Sequence, residues 1–150
     1  MLDKKKSDPE KISLIDFKFI KGQIETPEDF NLGNLEGYNL ESTLELAFNI
    51  EEELIKADLN IKLESKSKHE QNEPSVGVFH LVYIFKIYNS EDMVEIDKGE
   101  ISNINRDLGI AISSISYSTA RGILLTRLQG TAFQNFILPV IDPKKLLNNV

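Results

Sequence analysis

Thr43-Leu-Glu-Leu-Ala-Phe-Asn-Ile-Glu-Glu-Glu-Leu-Ile-Lys-Ala-Asp-Leu-Asn-Ile-Lys-Leu-Glu64 alternates twice between apolar and polar residues. Leu44, Leu46, Phe48 and Ile50 alternate with Thr43, Glu45, Ala47 and Asn49. Ala57, Leu59, Ile61 and Leu63 alternate with Asp58, Asn60, Lys62 and Glu64. Successive side chains of a strand point to opposite faces, so a period of two predicts one buried and one wetted face, as in antiparallel sheet. The acidic connection Glu51–Glu53 predicts that the two strands pair as a hairpin.

Downstream, 65–75 is polar and ends at the turn residue Pro74. Val76 to Tyr88 then reads as a strand of another kind, apolar on both faces. Phe79, Leu81, Tyr83, Phe85 and Ile87 share one face; Val78, Val82 and Ile84 share the other with His80 and Lys86. Such a strand should be covered on both sides, once by helix and once by another chain, another segment or a bound client, and Val78, Val82 and Ile84 are candidate oligomer-interface residues. Upstream, Ile12 to Ile24 is a strand whose phase breaks: Ile15, Phe17 and Phe19 against Ile20 and Ile24. A bulge near Phe19–Ile20 reconciles the two phases.

Between these strands, 26–41 contains Pro27, Gly33 and Gly37 and predicts a long connection. It also carries Phe30, Leu32, Leu35, Tyr38 and Leu40, more apolar groups than a solvated loop needs. Residues 89–104 are acidic and irregular, with a short strand at Met93–Ile96. A helix is predicted from Asn105, its N-cap, to Gln129, with Asp107 in the first turn, Arg127 in the last and Gly130 just beyond. Leu108, Ile112, Ile115, Thr119, Ile123 and Leu124 form its stripe; Ile112 and Ile115 are read as core or subunit interface, and Gly122 as a point of close packing. An apolar linker, 130–141, leads to Asp142-Pro143, an N-cap followed by proline at the first helical position of a short second helix. The fold class is therefore α+β: a four-stranded antiparallel sheet packed by a long helix and a short C-terminal helix. Residues 1–10 read as a mobile charged tail and 11–150 as one domain.

Composition removes several functions. The chain of 150 residues has no cysteine, which excludes disulfides, thiolate metal sites and a thiol nucleophile. Its formal charge of -7 and its lack of a basic cluster beyond Lys4–Lys6 argue against nucleic acid and anionic membranes. No uninterrupted apolar run suggests a signal peptide or an inserted span, and the expected location is cytoplasmic. His69 and His80 match no metal-ligand spacing, and the acidic runs match no calcium loop. Neither a Gly-x-Ser-x-Gly elbow nor a phosphate-binding glycine loop occurs, so the sequence offers no catalytic site, metal site or cofactor.

The stretch Tyr117-Ser-Thr-Ala-Arg-Gly-Ile-Leu-Leu-Thr-Arg-Leu-Gln-Gly-Thr-Ala-Phe-Gln-Asn-Phe-Ile-Leu-Pro-Val-Ile-Asp142 resembles the end of SecB-type export chaperones. Tyr117, Ala120, Arg121, Phe133, Leu138, Pro139 and Val140 carry the resemblance, and Ile24-Glu25-Thr26-Pro27 is similar to the end of that family's first strand. The resemblance implies a tetramer, a dimer of dimers, that holds non-native polypeptides in apolar grooves without ATP. The positions that correspond to the groove are Phe30, Leu32, Leu35 and Tyr38 from the loop, and Phe133, Phe136, Ile137, Leu138 and Val140 from the linker. SecA or an antitoxin is the further partner it implies. Two departures favour relatives that serve a toxin–antitoxin pair as the second reading: the last helix is short, and no acidic tail of the kind that docks on SecA follows it. A small-molecule or lipid carrier using the same groove is the reading from another class.

Overall fold

The computed structural model describes residues 12–49, 51–69, 72–88, 94–97, 100–104 and 106–147. The tail 1–10, Ile50, Met93 and the Asn105 N-cap lie outside the described residues. The elements are β1 (Ile12–Glu25), a 3-10 turn (Leu32–Asn34), β2 (Leu35–Asn49), β3 (Leu54–Ser67), β4 (Val76–Ile87), β5 (Val94–Asp97), β6 (Glu100–Ile104), α1 (Arg106–Arg127) and α2 (Pro143–Leu147). The main sheet is antiparallel throughout, in the order β1-β4-β3-β2. Two hairpins place β2, β3 and β4 side by side. The chain from β1 must then cross the sheet to reach β2, a Greek key.

The alternation in β2 and β3 does what its period requires. Leu44 pairs with Leu59 and Leu46 with Ala57, and Leu44, Ala57 and Leu59 are fully buried. In β4, Phe79, Leu81, Tyr83, Phe85 and Ile87 lie on the same inner face. Each large apolar side chain buried there contributes about 1.5–3 kcal/mol. β1 reaches the inner face through two register shifts, at Leu14/Asp16 and at Phe19/Lys21. The second is the expected bulge. The first makes Ile15 a bulge residue, 54% exposed, instead of a face-mate of Phe17 and Phe19. After the second shift Ile24 returns to the inner face, opposite Gly77.

Three expectations change. The long connection 26–41 ends at Asn34, because β2 begins at Leu35 and pairs with Ser65–Ser67 of β3. Backbone pairing continues there past the point where the apolar alternation stops, so Leu35 and Tyr38 are strand residues. The irregular 89–104 contains a small antiparallel hairpin, β5 with β6, which forms a two-stranded sheet of its own. And Gly122 is exposed with open space where a Cβ would stand, so it brings nothing close to α1.

α1 covers the inner face with Leu108, Ile112, Tyr117, Ala120 and Leu124, and also with Gly109, Ser113 and Ser116. Of the four long strands, β3 is the one that α1 lies nearest. Ser113 satisfies its hydroxyl by donating to the Gly109 carbonyl at 2.7 Å. By length and composition α1 could cross a bilayer, but 44% of its apolar window is buried within the chain. Arg127 stacks over the Phe19 ring, 4.8 Å from its centre, which ties the end of α1 to β1. Gly130, at φ +75, ends the helix in the left-handed conformation that glycine adopts at least cost. Asp142 caps α2 by accepting from the Lys144 amide at 3.0 Å.

Candidate functional site

The linker from α1 to α2 meets β2 at Tyr38. Its ring lies 5.8 Å from that of Phe133 and 5.2 Å, edge to face, from that of Phe136. Phe133 also rests on Gly77 of β4, where a Cβ would come within 3.2 Å of its ring. Sequence thus sets this contact twice, with a large ring on the linker and no side chain beneath it.

The crossing loop is short and internally bonded. Phe30 donates its amide to Pro27, Asn34 donates to Asn31, and the Asn31 side chain accepts from Gly33. Lys68, just past β3, donates its amide to Asn34 at 2.8 Å. At the same end of the sheet, buried Ser75 donates to the Glu25 carbonyl, accepts from Thr26 and bonds through its amide to Ser65. These bonds fix where the loop leaves β1 and enters β2.

The linker is fixed by α1. The Tyr117 hydroxyl donates to the Pro139 carbonyl at 2.8 Å. Arg121, one turn on, donates from Nε to the Leu138 carbonyl at 2.9 Å and from Nη2 to Pro139 at 3.4 Å. Its guanidinium sits 5.4 Å from the centre of the Tyr117 ring. Burial pushes the Tyr117 phenol up from its ordinary range, and the Arg121 charge partly offsets this. Held at two consecutive carbonyls, the extended segment turns Phe136 and Leu138 inward while Ile137 and Val140 project outward.

The candidate groove residues accordingly divide. Phe133 is fully buried, Leu138 is 2% exposed and Phe136 is 8% exposed. Phe30, Leu35 and Tyr38 are half-buried. Leu32, Ile137 and Val140 are exposed, Val140 at 89%. The linker thus pairs a packed aromatic floor with exposed Ile137 and Val140, while Leu32 is exposed on the crossing loop. Of the candidate interface residues, Val78 and Ile84 are half-buried on the outer sheet face, Val82 is nearly covered and Ile115 is exposed. Ile112 is already fully buried by its own chain.

A pocket of about 120 Å³ opens beside the linker, between α1 and α2. Among its walls are Tyr117 and Arg121, the residues that hold the linker, and exposed Val140. Sequence reasoning did not find it, because its walls come from three segments that no local pattern connects. On the outer sheet face, His80 bonds through Nε2 to the Asp58 carboxylate at 2.8 Å, and Lys56 lies 3.6 Å from the same group. Among the described residues no cluster of histidine and carboxylates has a metal-binding arrangement.

This architecture is the SecB-like chaperone fold. One solved structure that shows it is the SecB-like chaperone Rv1957 of Mycobacterium tuberculosis, in complex with a ChAD peptide from the Rv1956 HigA1 antitoxin. It superposes with a TM-score of 0.62 over 88% of this chain and 91% of its own, at 9% identity. A protein of unknown function from Streptococcus agalactiae aligns over 86% of this chain and 97% of its own at 11% identity, but with a TM-score of only 0.34. No protein-family model matches the sequence, and no curated protein matches it significantly.

Proposed function

We propose that this chain is an ATP-independent holdase that lays an extended segment of another polypeptide along the loop–linker surface. The observation that carries the reading is the aromatic cluster of Tyr38, Phe133 and Phe136, with Ile137 and Val140 exposed on the same linker and Leu32 exposed on the crossing loop. An extended client gains main-chain hydrogen bonds at a sheet edge while its side chains find apolar footholds. β2, which carries Leu35 and Tyr38, is such an edge. Phe30, Leu32, Leu35, Ile137 and Val140 make first contact, and Phe133, Phe136 and Leu138 form the floor.

A dedicated client of the antitoxin kind is favoured over preproteins for export, because the mycobacterial neighbour was solved with an antitoxin peptide. SecA belongs to the export reading. A cytoplasmic homo-tetramer, a dimer of dimers, accompanies either reading, with Val78, Val82, Ile84 and Ile115 as its contact residues.

Light scattering tests this directly, on the chain alone and then mixed with a reduced, unfolded model protein. The expected result is a tetramer that takes up the unfolded chain and ignores the native form. A monomer that ignores both would overturn the reading. Peptides tiled across antitoxin sequences should then compete with the unfolded protein at concentrations where preprotein segments do not.

A further inference from the structure

The pocket between α1 and α2 joins Arg121, which holds the linker, to residues that the linker's packing does not use. Ser114, Ser118 and Arg121 form one wall; Val140, Pro143 and Leu146 contribute an apolar floor. None of the eight lining residues is acidic. Asp142, beside it in sequence, is engaged in capping α2. Arg121 is immobilised by the neutral carbonyls of Leu138 and Pro139 and has no carboxylate partner among the described residues. A guanidinium whose position is already fixed loses little further freedom when it binds an anion, and carboxylate is the group its geometry matches.

We infer that this pocket is a specificity site for an apolar side chain followed by a carboxylate, an aliphatic–acidic step in the bound polypeptide. Its volume of about 120 Å³ suits one side chain, well below the ~300–1,000 Å³ of small-molecule sites. Exposed Val140 stands at its edge and leads on to Ile137, so a chain lying along the linker passes its mouth. The aliphatic group enters over Pro143 and Leu146, and the carboxylate meets Arg121 with the Ser114 and Ser118 hydroxyls beside it. The inference rests on the polypeptide-binding reading above and adds a preference that an apolar rim alone cannot supply.

The test uses the full chain and three fluorescein-labelled nonapeptides, identical except for a central Leu-Asp, Leu-Asn or Leu-Lys step, read by anisotropy. The Leu-Asp peptide should bind about tenfold more tightly than the Leu-Asn peptide, as a charge-assisted hydrogen bond provides. Arg121→Gln should abolish the difference and Arg121→Lys should restore part of it. Ser118→Leu, at an exposed position, should fill the pocket and weaken all three peptides. Equal binding of the three by the natural chain, or an aspartate preference that survives in Arg121→Gln, overturns the inference. If the unfolded model protein is still taken up in that case, the holdase reading stands without it. If neither peptides nor unfolded protein bind, both fall.

Discussion

Tyr83 is fully buried, and its hydroxyl finds no hydrogen-bond partner among the described residues. Loss of hydration disfavours the phenolate, so its pKa lies well above the ordinary value of 10.0. The sign follows from linkage: a folded-state value raised above the unfolded one gives stability that is complete below about pH 10 and lost as pH rises beyond it. Tyr38 and Tyr117 are shifted in the same direction. Urea unfolding should therefore show a decline above about pH 10 that is shallower in Tyr83→Phe. Near neutrality the same substitution should be neutral or stabilising by about 1 kcal/mol, because it removes a buried polar group that has no partner. Gly130 is sensitive for a different reason. At φ +75 a Cβ crowds the following carbonyl, so Gly130→Ala should cost about 1–2 kcal/mol in the same assay, although nothing stands in the space around it.

α1 and the linker are joined at element scale by two side chains on two carbonyls. Removing the Tyr117 hydroxyl should cost about 1 kcal/mol. The more telling consequence is local. In Tyr117→Phe, amide exchange should accelerate at Ile137, Leu138, Val140 and Ile141 before it changes in α1 or β3, because the bond to Pro139 holds the linker and not the helix. Uniform acceleration across the sheet would refute this division of labour. α1 itself lies close to the sheet through Ser113 and Ser116, both fully buried. A larger side chain there would meet a packed interior, and Ser113→Leu should destabilise by about 1–3 kcal/mol, measured as a lower urea midpoint.

The division of the linker into floor and rim has consequences for the whole molecule. Ile137→Ser with Val140→Ser changes only exposed side chains, so the melting temperature should hold while uptake of unfolded protein falls severalfold. Phe133→Ala is the converse. It opens a cavity in the core and should cost about 3–5 kcal/mol, and any loss of binding would then follow from loss of structure. Phe136, 8% exposed, belongs with Phe133 in this respect, and a polar substitution there would confuse binding with folding. Unchanged uptake in the Ile137/Val140 variant would move the site away from the rim.

Local pattern alone determined the existence of the four long strands, though not the first half of β2, together with the bulge near Ile20, the end of α1 and the Asp142 cap. Each depends on residues a few positions apart: alternation for a one-sided strand, a left-handed glycine, an aspartate before a proline. The apolar linker and its resemblance to SecB-type chaperones were legible too, as was the aromatic content of the candidate site. Which of those side chains is floor and which is rim was not legible, because Phe133, Ile137 and Val140 are all simply apolar. Only non-local contacts distinguish them: Tyr38 across the sheet end, Gly77 beneath a ring, and the Tyr117 hydroxyl 22 residues from Pro139. For the same reason buried Ser116 and exposed Ile115 reverse what their polarity suggests. Burial is decided by what the rest of the chain brings alongside a residue, and hydrophobic periodicity records only the average of that outcome over a face.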